Sequence, residues 1–470
     1  MMSEDLVYMS AAALFSGYRG KRFTPLDVLD VTLSRIEAIE PLLNAWQLVD
    51  PRAARRDARA SARRWAAGEP AGVLDGVPVA IKDVTETRGW PTLNGSLAIS
   101  PEGPWPDDAI VVERLRAHGA IIVGKTTTPE FAWKGTTDSR LHGITRNPWN
   151  PDWTPCGSSG GSAAAVASGM VTIATGTDSG GSIRGPASFC GVVGFKPSFG
   201  RVPVWPASPM MTLEHIGPIT RTVHDAALAL TVMAGHDPRD GYALTGPTPD
   251  VLSGLGRGVR GMRIAWSADL GFATVDPVVR RIAGRAAREV FTALGARVTR
   301  IRPDIGDPSR MADVLSDSLA AAVTRRLAPR SPDEPVLLAA ADRGNRLSAL
   351  DLLEAEAGRR DLTCRLEALL SRHDLLVLPT LGTTPFPAGR SAPEGWERSQ
   401  RESGAGWMAT TFPFDLTGQP AISLPCGFTK DGAPVGLQIV GPRGWDALVL
   451  RAARAFEEAS PFADRRPPTG

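Results

Sequence analysis

Apolar residues recur at helical spacing through TPLDVLDVTLSRIEAIEPLLNAW, which opens on a cap residue, Thr24, with proline at the first helical position. The pattern predicts a helix that Pro41 interrupts, and with it an N-terminal helical layer. GVPVAIKD, AIIVGKT and MVTIATGTD follow another rhythm. Each is a short apolar run closed by polar or glycine-rich residues, and helix-compatible stretches such as DAIVVERLRAHG separate them. That alternation predicts an α/β fold with catalytic groups at strand ends. Between about Gly235 and Thr380 the chain turns to Ala, Arg, Asp and Leu at helical spacing, as in VDPVVRRIAGRAAREVFTALGARV and LSALDLLEAEAGRRDLTCRLEALLSR, predicting helices that cover a sheet. Strand-like LLVLPT, FPFDLTGQPAISLP and VGLQIVG then return, DALVLRAARAFEEA predicts a final helix, and the terminal DRRPPTG is expected to be loose. The resulting layout is a helical layer over 1–70, a catalytic core over 71–235, a helical covering region over 236–375 and a return to the sheet over 376–470. No internal repeat is present.

Composition narrows the picture. At 470 residues, 43% apolar and 22% charged, the chain buries a large core and is expected to form one or two domains. A formal net charge of +2 argues against a polyanion-binding surface, so nucleic acid is not an expected partner. No run approaches the roughly 18 to 20 apolar residues that span a bilayer, and Glu4 and Asp5 stand where a secretory peptide would be basic. A cytoplasmic protein without membrane insertion is expected. Cys156, Cys190, Cys364 and Cys426 form no CxxC pair, which points to buried free thiols rather than a zinc site or disulfide framework.

The chemistry concentrates between Thr154 and Pro197, where TPCGSSGGSAAAVASGMVTIATGTDSGGSIRGPASFCGVVGFKP places serines in two glycine-rich turns. A flexible linker would not continue into the apolar AAAVA and VTIAT segments. Glycines beside a serine permit positive φ and let successive N–H groups converge on one point. In TDSGGS the N–H groups of Ser179, Gly180 and Gly181 precede Ser182, so a carbonyl attacked by Ser182 would develop its negative charge among those donors. A phosphate-cradling loop is the rival, but GxxxxGK[ST] is absent and Lys196 lies well beyond the turn. Gly157-Ser158-Ser159-Gly160-Gly161 also matches GxSxG, which would make Ser159 the nucleophile of an elbow and leave the second serine turn unexplained. None of the six histidines stands in an evident pairing with an acid.

Lys82, the first glycine-serine turn and TDSGGSIR together resemble the amidase signature family. The resemblance continues in family order through GVPVAIKD, TRNPWNP, GPITRTVHDAA, DLLVLPT, FPFDLTGQPAISLPCG and VGLQIVGP, so it covers most of the chain. It implies a single large α/β domain, a mixed central β-sheet covered by helices on both faces. It also implies a Ser–cis-Ser–Lys triad without metal or cofactor: Ser182 as nucleophile, Ser158 reached through a cis peptide after Gly157, and Lys82 as terminal base. Ser158 and Ser182 stand 24 positions apart, a family-like interval. A lysine accepts a proton only when substantially neutral, which burial at a strand end achieves. Asp178 and Arg184 resemble positions that hold the nucleophile loop in shape. Two departures are visible: Cys156 stands where the family usually has glycine, and Asp415, expected to cap a turn or charge the cleft, where it usually has asparagine.

The implied activity is hydrolysis of an acyl carbon–nitrogen bond through a seryl acyl-enzyme. EFAWKGTTDS resembles the loop lining the acyl side of the cleft, which makes Ala132 and Trp133 substrate-binding candidates, with a core tryptophan as the alternative for Trp133. Met210, Met211, Leu213, Trp407 and Phe412 are further candidates for apolar surface. A small hydrophobic or aryl amide, anilide or carbamate is the expected substrate, handled by a monomer or homodimer. The alternatives are a glutamine-hydrolysing component of a tRNA-dependent amidotransferase and, from another class, a non-catalytic binding protein on the same scaffold.

Overall fold

The computed structural model describes residues 6–396, 406–460 and 465–468. Among the described residues, thirteen strands run in chain order as β1 (Trp46–Val49), β2 (Pro78–Lys82), β3 (Ile121–Thr126), β4 (Asp138–Ser139), β5 (Gly143–Ile144), β6 (Ile173–Asp178), β7 (Val193–Lys196), β8 (His215–Thr220), β9 (Arg263–Trp266), β10 (Arg297–Arg300), β11 (Leu375–Pro379), β12 (Ala421–Phe428) and β13 (Pro434–Val440). Eleven of them make one mixed sheet in the order β1-β3-β2-β6-β8-β7-β12-β13-β11-β9-β10, while β4 pairs with β5.

Successive side chains of a strand point to opposite faces, and here they feed separate cores. Val79 and Ile81 of β2, with Leu375 and Val377 of β11, enter one core; Ala80 enters a second, and Leu376 and Leu378 a third. Helices Ile110–Ala117, Val223–Met233, Pro277–Ala293 and Asp446–Ala459 contribute to the first core. The opposite face is covered over the first half of the chain by helices Pro25–Leu43, Pro51–Ala67, Gly160–Ala167 and Arg184–Cys190. Over the second half it is covered by Ser309–Leu327 and Ala349–Arg372. With both faces buried, the strands read as continuous apolar runs rather than alternating ones, which is why they were legible as short blocks.

β3, β2 and β6 run parallel, so their carboxyl ends share one edge of the sheet. Lys82 pairs with Thr126 there, and antiparallel β8 starts beside them with His215 opposite Asp178. The crevice beyond the carboxyl ends of parallel strands is where ligands bind in such sheets.

Three expectations need adjustment. Pro41 does not stop its helix, which runs to Leu43 because only two residues follow the lost N–H before left-handed Asn44 (φ 51°) ends it. Of the terminal DRRPPTG, positions 464, 469 and 470 lie outside the described residues; within it the guanidiniums of Arg465 and Arg466 lie 4.0 Å and 4.3 Å from the ring centroids of Phe428 and Tyr8, contacts a loose tail would not make. Cys364 is exposed, whereas Cys156, Cys190 and Cys426 are buried. Among the described residues, no helix is long and apolar enough to cross a membrane.

Candidate active site

Lys82 ends β2 with its side chain wholly buried. Its backbone N–H donates to Thr175 Oγ1 at 3.0 Å, and its Nζ donates to Ser158 Oγ at 2.7 Å and Thr177 Oγ1 at 2.9 Å. Both threonines stand on β6, whose pairing with β2 brings their hydroxyls to the lysine. Burial pulls the ammonium down to about 7, against the carboxylates of Glu214 and Asp178, which favour its charged form.

Ser158 follows a cis peptide after Gly157. A Cβ on Gly157 would stand 2.6 Å from the carbonyl of Thr136, so only glycine fits against that backbone. Thr137 Oγ1 donates to Cys156 O at 2.8 Å and accepts the N–H of Gly160 at 3.0 Å, tying the turn to the helix that follows. Cys156 takes a left-handed φ of 68°, the backbone that explains why glycine suits this position. Burial also pushes its thiol up, which leaves it a packing group. Ser159 is buried, its hydroxyl donating to Thr177 O at 3.3 Å, so the GxSxG coincidence builds no exposed elbow.

Ser182 lies half-buried on the turn between β6 and helix Arg184–Cys190. The Asp178 carboxylate organises that turn: Oδ1 accepts the N–H of Gly181 at 2.5 Å, and Oδ2 those of Ile183 at 3.1 Å and Arg184 at 3.3 Å. Although burial raises it, the Arg184 guanidinium holds this carboxyl well below the usual carboxylate range. Gly181 sits at φ 126°, and a Cβ there would meet Thr411 Oγ1 at 2.3 Å. One expectation changes as a result. The Gly181 N–H is directed at Asp178, so the oxyanion reading falls on the N–H groups of Ser179 and Gly180.

Arg184 is buried and uses every donor it has. Nε reaches Asp178 at 3.0 Å, Nη1 reaches Thr411 O at 2.9 Å and Gln438 Oε1 at 2.6 Å, and Nη2 reaches Asp178 at 3.0 Å and Asp415 at 2.6 Å. Asp415 therefore neither caps a turn nor charges the cleft; it lies beneath the Ser182 turn, 3.6 Å from His215 Nδ1. Burial raises its carboxyl well above the ordinary value and lowers the His215 imidazole well below its own. The distant Lys196 folds into electrostatic range of this group, its ammonium lowered to about 7 by burial.

Ser158, Ser182, Ser179 and Thr177 open onto one cavity of about 240 Å³. Ala132 lines it, but Trp133 does not; Trp133 packs with Ala320, Leu337, Ala340 and Ala341, the core role left open for it. Met211 is 58% exposed at φ 48°, a turn that carries its side chain outward and leaves Met210 on the wall. Leu213, Trp407 and Phe412 are core residues, with Trp407 stacked on Phe189 at 5.7 Å.

Sequence reasoning missed Glu86, Glu214, Trp205 and Arg326, all on the cavity wall. Burial raises both glutamates, and Glu214 Oε2 accepts the hydroxyls of Ser179 at 3.0 Å and Ser208 at 3.1 Å. A lone acid entering the apolar block HIGPIT was the available signal for Glu214. Arg326 comes from a helix far along the chain and had none. Among the described residues, no group of three or more His, Cys, Asp or Glu could hold a metal ion.

The amidase family profile matches residues 27–450. The chain belongs to the amidase signature family. Among its relatives, an acylamidase of Rhodococcus erythropolis is 37% identical over 473 residues, covering 99% of this chain and 98% of that protein. A component of the glutamyl-tRNA(Gln) amidotransferase of Chloroflexus aggregans is 35% identical, covering 98% and 99%. A solved bacterial aryl acylamidase of the amidase signature family superposes with a TM-score of 0.89 at 33% identity, covering 97% and 98%. This amidase-family enzyme therefore acts on carbon–nitrogen amide bonds.

Proposed function

We propose that the amidase hydrolyses small hydrophobic or aryl amides, anilides or carbamates through an ester on Ser182, with Ser158 and Lys82 as its proton relay. The observation that carries the reading is the 2.7 Å bond from a buried Lys82 Nζ to Ser158 Oγ at the floor of the cavity that also exposes Ser182. Lys82 takes the Ser158 proton, Ser158 takes that of Ser182, and Ser182 Oγ adds to the carbonyl carbon. Collapse of the tetrahedral intermediate breaks the carbon–nitrogen bond as Ser158 returns a proton to the departing nitrogen. Water then adds to the ester by the same relay, releasing the acid and restoring both hydroxyls. The N–H groups of Ser179 and Gly180 serve the developing oxyanion.

The apolar wall, with Val84, Phe131, Val204, Trp205, Ile216 and Leu327, supports a hydrophobic or aryl substrate. The acylamidase and aryl acylamidase relatives support the same class. The test is a panel of aliphatic amides, anilides, aryl carbamates and esters with the wild type, Ser182→Ala and Lys82→Ala. Each variant is expected to lose about 1,000-fold or more in kcat/KM. Wild-type turnover by either variant overturns the assignment. The similarity to an amidotransferase component over 98% of this chain favours a second reading, glutamine hydrolysis within a complex. Ammonia release from glutamine that depends on co-purifying proteins would establish that reading instead.

A further inference from the structure

A second concavity, of about 250 Å³, opens on the surface away from the catalytic serines. Its walls carry Arg359 and Arg360 of helix Ala349–Arg372, then Arg443 and Phe199, and its floor includes Thr417 and Gly418. Glu356 is the one carboxylate among the described residues of the lining, with Oε1 3.6 Å from Arg359 Nη1. Three guanidiniums against one carboxylate leave the pocket at a local charge of +2.

Arg359 is built into the wall. Its side chain is 16% exposed, Nη1 donates to Thr212 Oγ1 at 2.6 Å, Nη2 donates to Thr212 O at 3.0 Å, and Nε donates to Leu416 O. Those bonds occupy three of the five N–H groups of a guanidinium and the Glu356 carboxylate faces a fourth, on Nη1, so one Nη2 N–H remains for a ligand. The Arg443 guanidinium lies 5.8 Å from the Phe199 ring centroid. Neither Arg360 nor Arg443 has a carboxylate partner among the described residues. Like charges held together in a concavity repel, and after burial the Arg443 charge also disfavours the protonated form of Arg359. An anion seated among them would relieve that repulsion while gaining forked hydrogen bonds.

We infer that this pocket binds a small tetrahedral oxyanion, inorganic phosphate or a phosphate monoester, whose charge of about −1.5 to −2 at neutral pH matches the lining. The catalytic reading has no use for such a site, so the two stand independently. The site abuts the active centre nonetheless, because Thr212 lies between Met210 and Glu214 on the catalytic cavity wall.

The test is calorimetric titration of the full chain with sodium phosphate at constant ionic strength, alongside vesicles of phosphatidylcholine with and without phosphatidic acid. Saturable binding of free phosphate at one site is expected, weakened tenfold or more in the double variant Arg360→Ala/Arg443→Ala. The double variant Arg281→Ala/Arg288→Ala removes the same charge from the exposed face of helix Pro277–Ala293 and is expected to bind as the wild type does. Equal loss in both variants reduces the effect to net charge and overturns the inference. So does unchanged binding by the Arg360/Arg443 variant, or capture by phosphatidic acid vesicles without binding of free phosphate. Circular dichroism of the variants, whose altered side chains are all exposed, separates lost binding from lost folding.

Discussion

The proposed role of Lys82 as base requires a neutral amine, and its burial sets the fraction of molecules that have one. With the amine lowered from 10.5 to about 7, the neutral form grows as pH rises through 7. The expected kcat/KM on an uncharged amide therefore climbs about tenfold per pH unit below that point and levels above it. A rising limb centred near 10, where a solvated lysine titrates, would refute Lys82 as the base. Gly181 offers a second test at this scale. Alanine there clashes with Thr411 Oγ1 and holds a side chain at φ 126°, so Gly181→Ala is expected to lose activity and about 1–3 kcal/mol of stability, read by denaturant titration and turnover. Ser182 was legible because a glycine-rich turn announces itself locally. The engagement of the Gly181 N–H was not, since it depends on which oxygen of Asp178 the folded turn presents.

Elements place these residues where the chemistry needs them. Parallel β2, β3 and β6 bring Lys82, Thr126 and Asp178 to one edge, and β8 starts there with Glu214 leading into His215. Helix Pro25–Leu43 shows how an element ends. The Glu40 carboxylate accepts the N–H groups of Ala45 and Trp46 at 2.9 Å just past the helix terminus. Burial lifts this carboxyl from 4.5 to about 7, against those same backbone donors. The raised value means the folded state holds a proton that the unfolded chain releases, so stability from this group is full below about 4.5 and lost as pH rises through 7. Glu40→Gln has no such titration. Its melting temperature relative to wild type is expected to rise between pH 4.5 and 7 and stay level beyond; a constant difference across that window would refute the protonation. The strands themselves were readable from periodicity, but the end of this helix was decided by its cap rather than by Pro41.

At the scale of the molecule, Arg184 joins distant parts of the chain. Its five donors reach Asp178, Thr411, Asp415 and Gln438, so the β6 turn, the segment before β12 and the β13 strand meet on one buried cation. Removing the charge strands two buried carboxyls and two acceptors. Arg184→Met is expected to cost about 3–5 kcal/mol, measured by denaturant unfolding, and a midpoint within error of wild type would show the network to be dispensable. The local code of the chain determined much by itself. Apolar blocks buried on both faces specify strands, helical spacing specifies the covering helices, and two glycine-serine turns mark the candidate nucleophile, because each rests on contacts between residues near in sequence. What surrounds the serines was decided only by tertiary structure. Trp133 turned into a core, Met210 replaced Met211 on the wall, and Glu86, Trp205 and Arg326 came together there from remote elements. Lys82 became a candidate base on the same terms, since the desolvation that neutralises an amine is supplied by the whole fold around it.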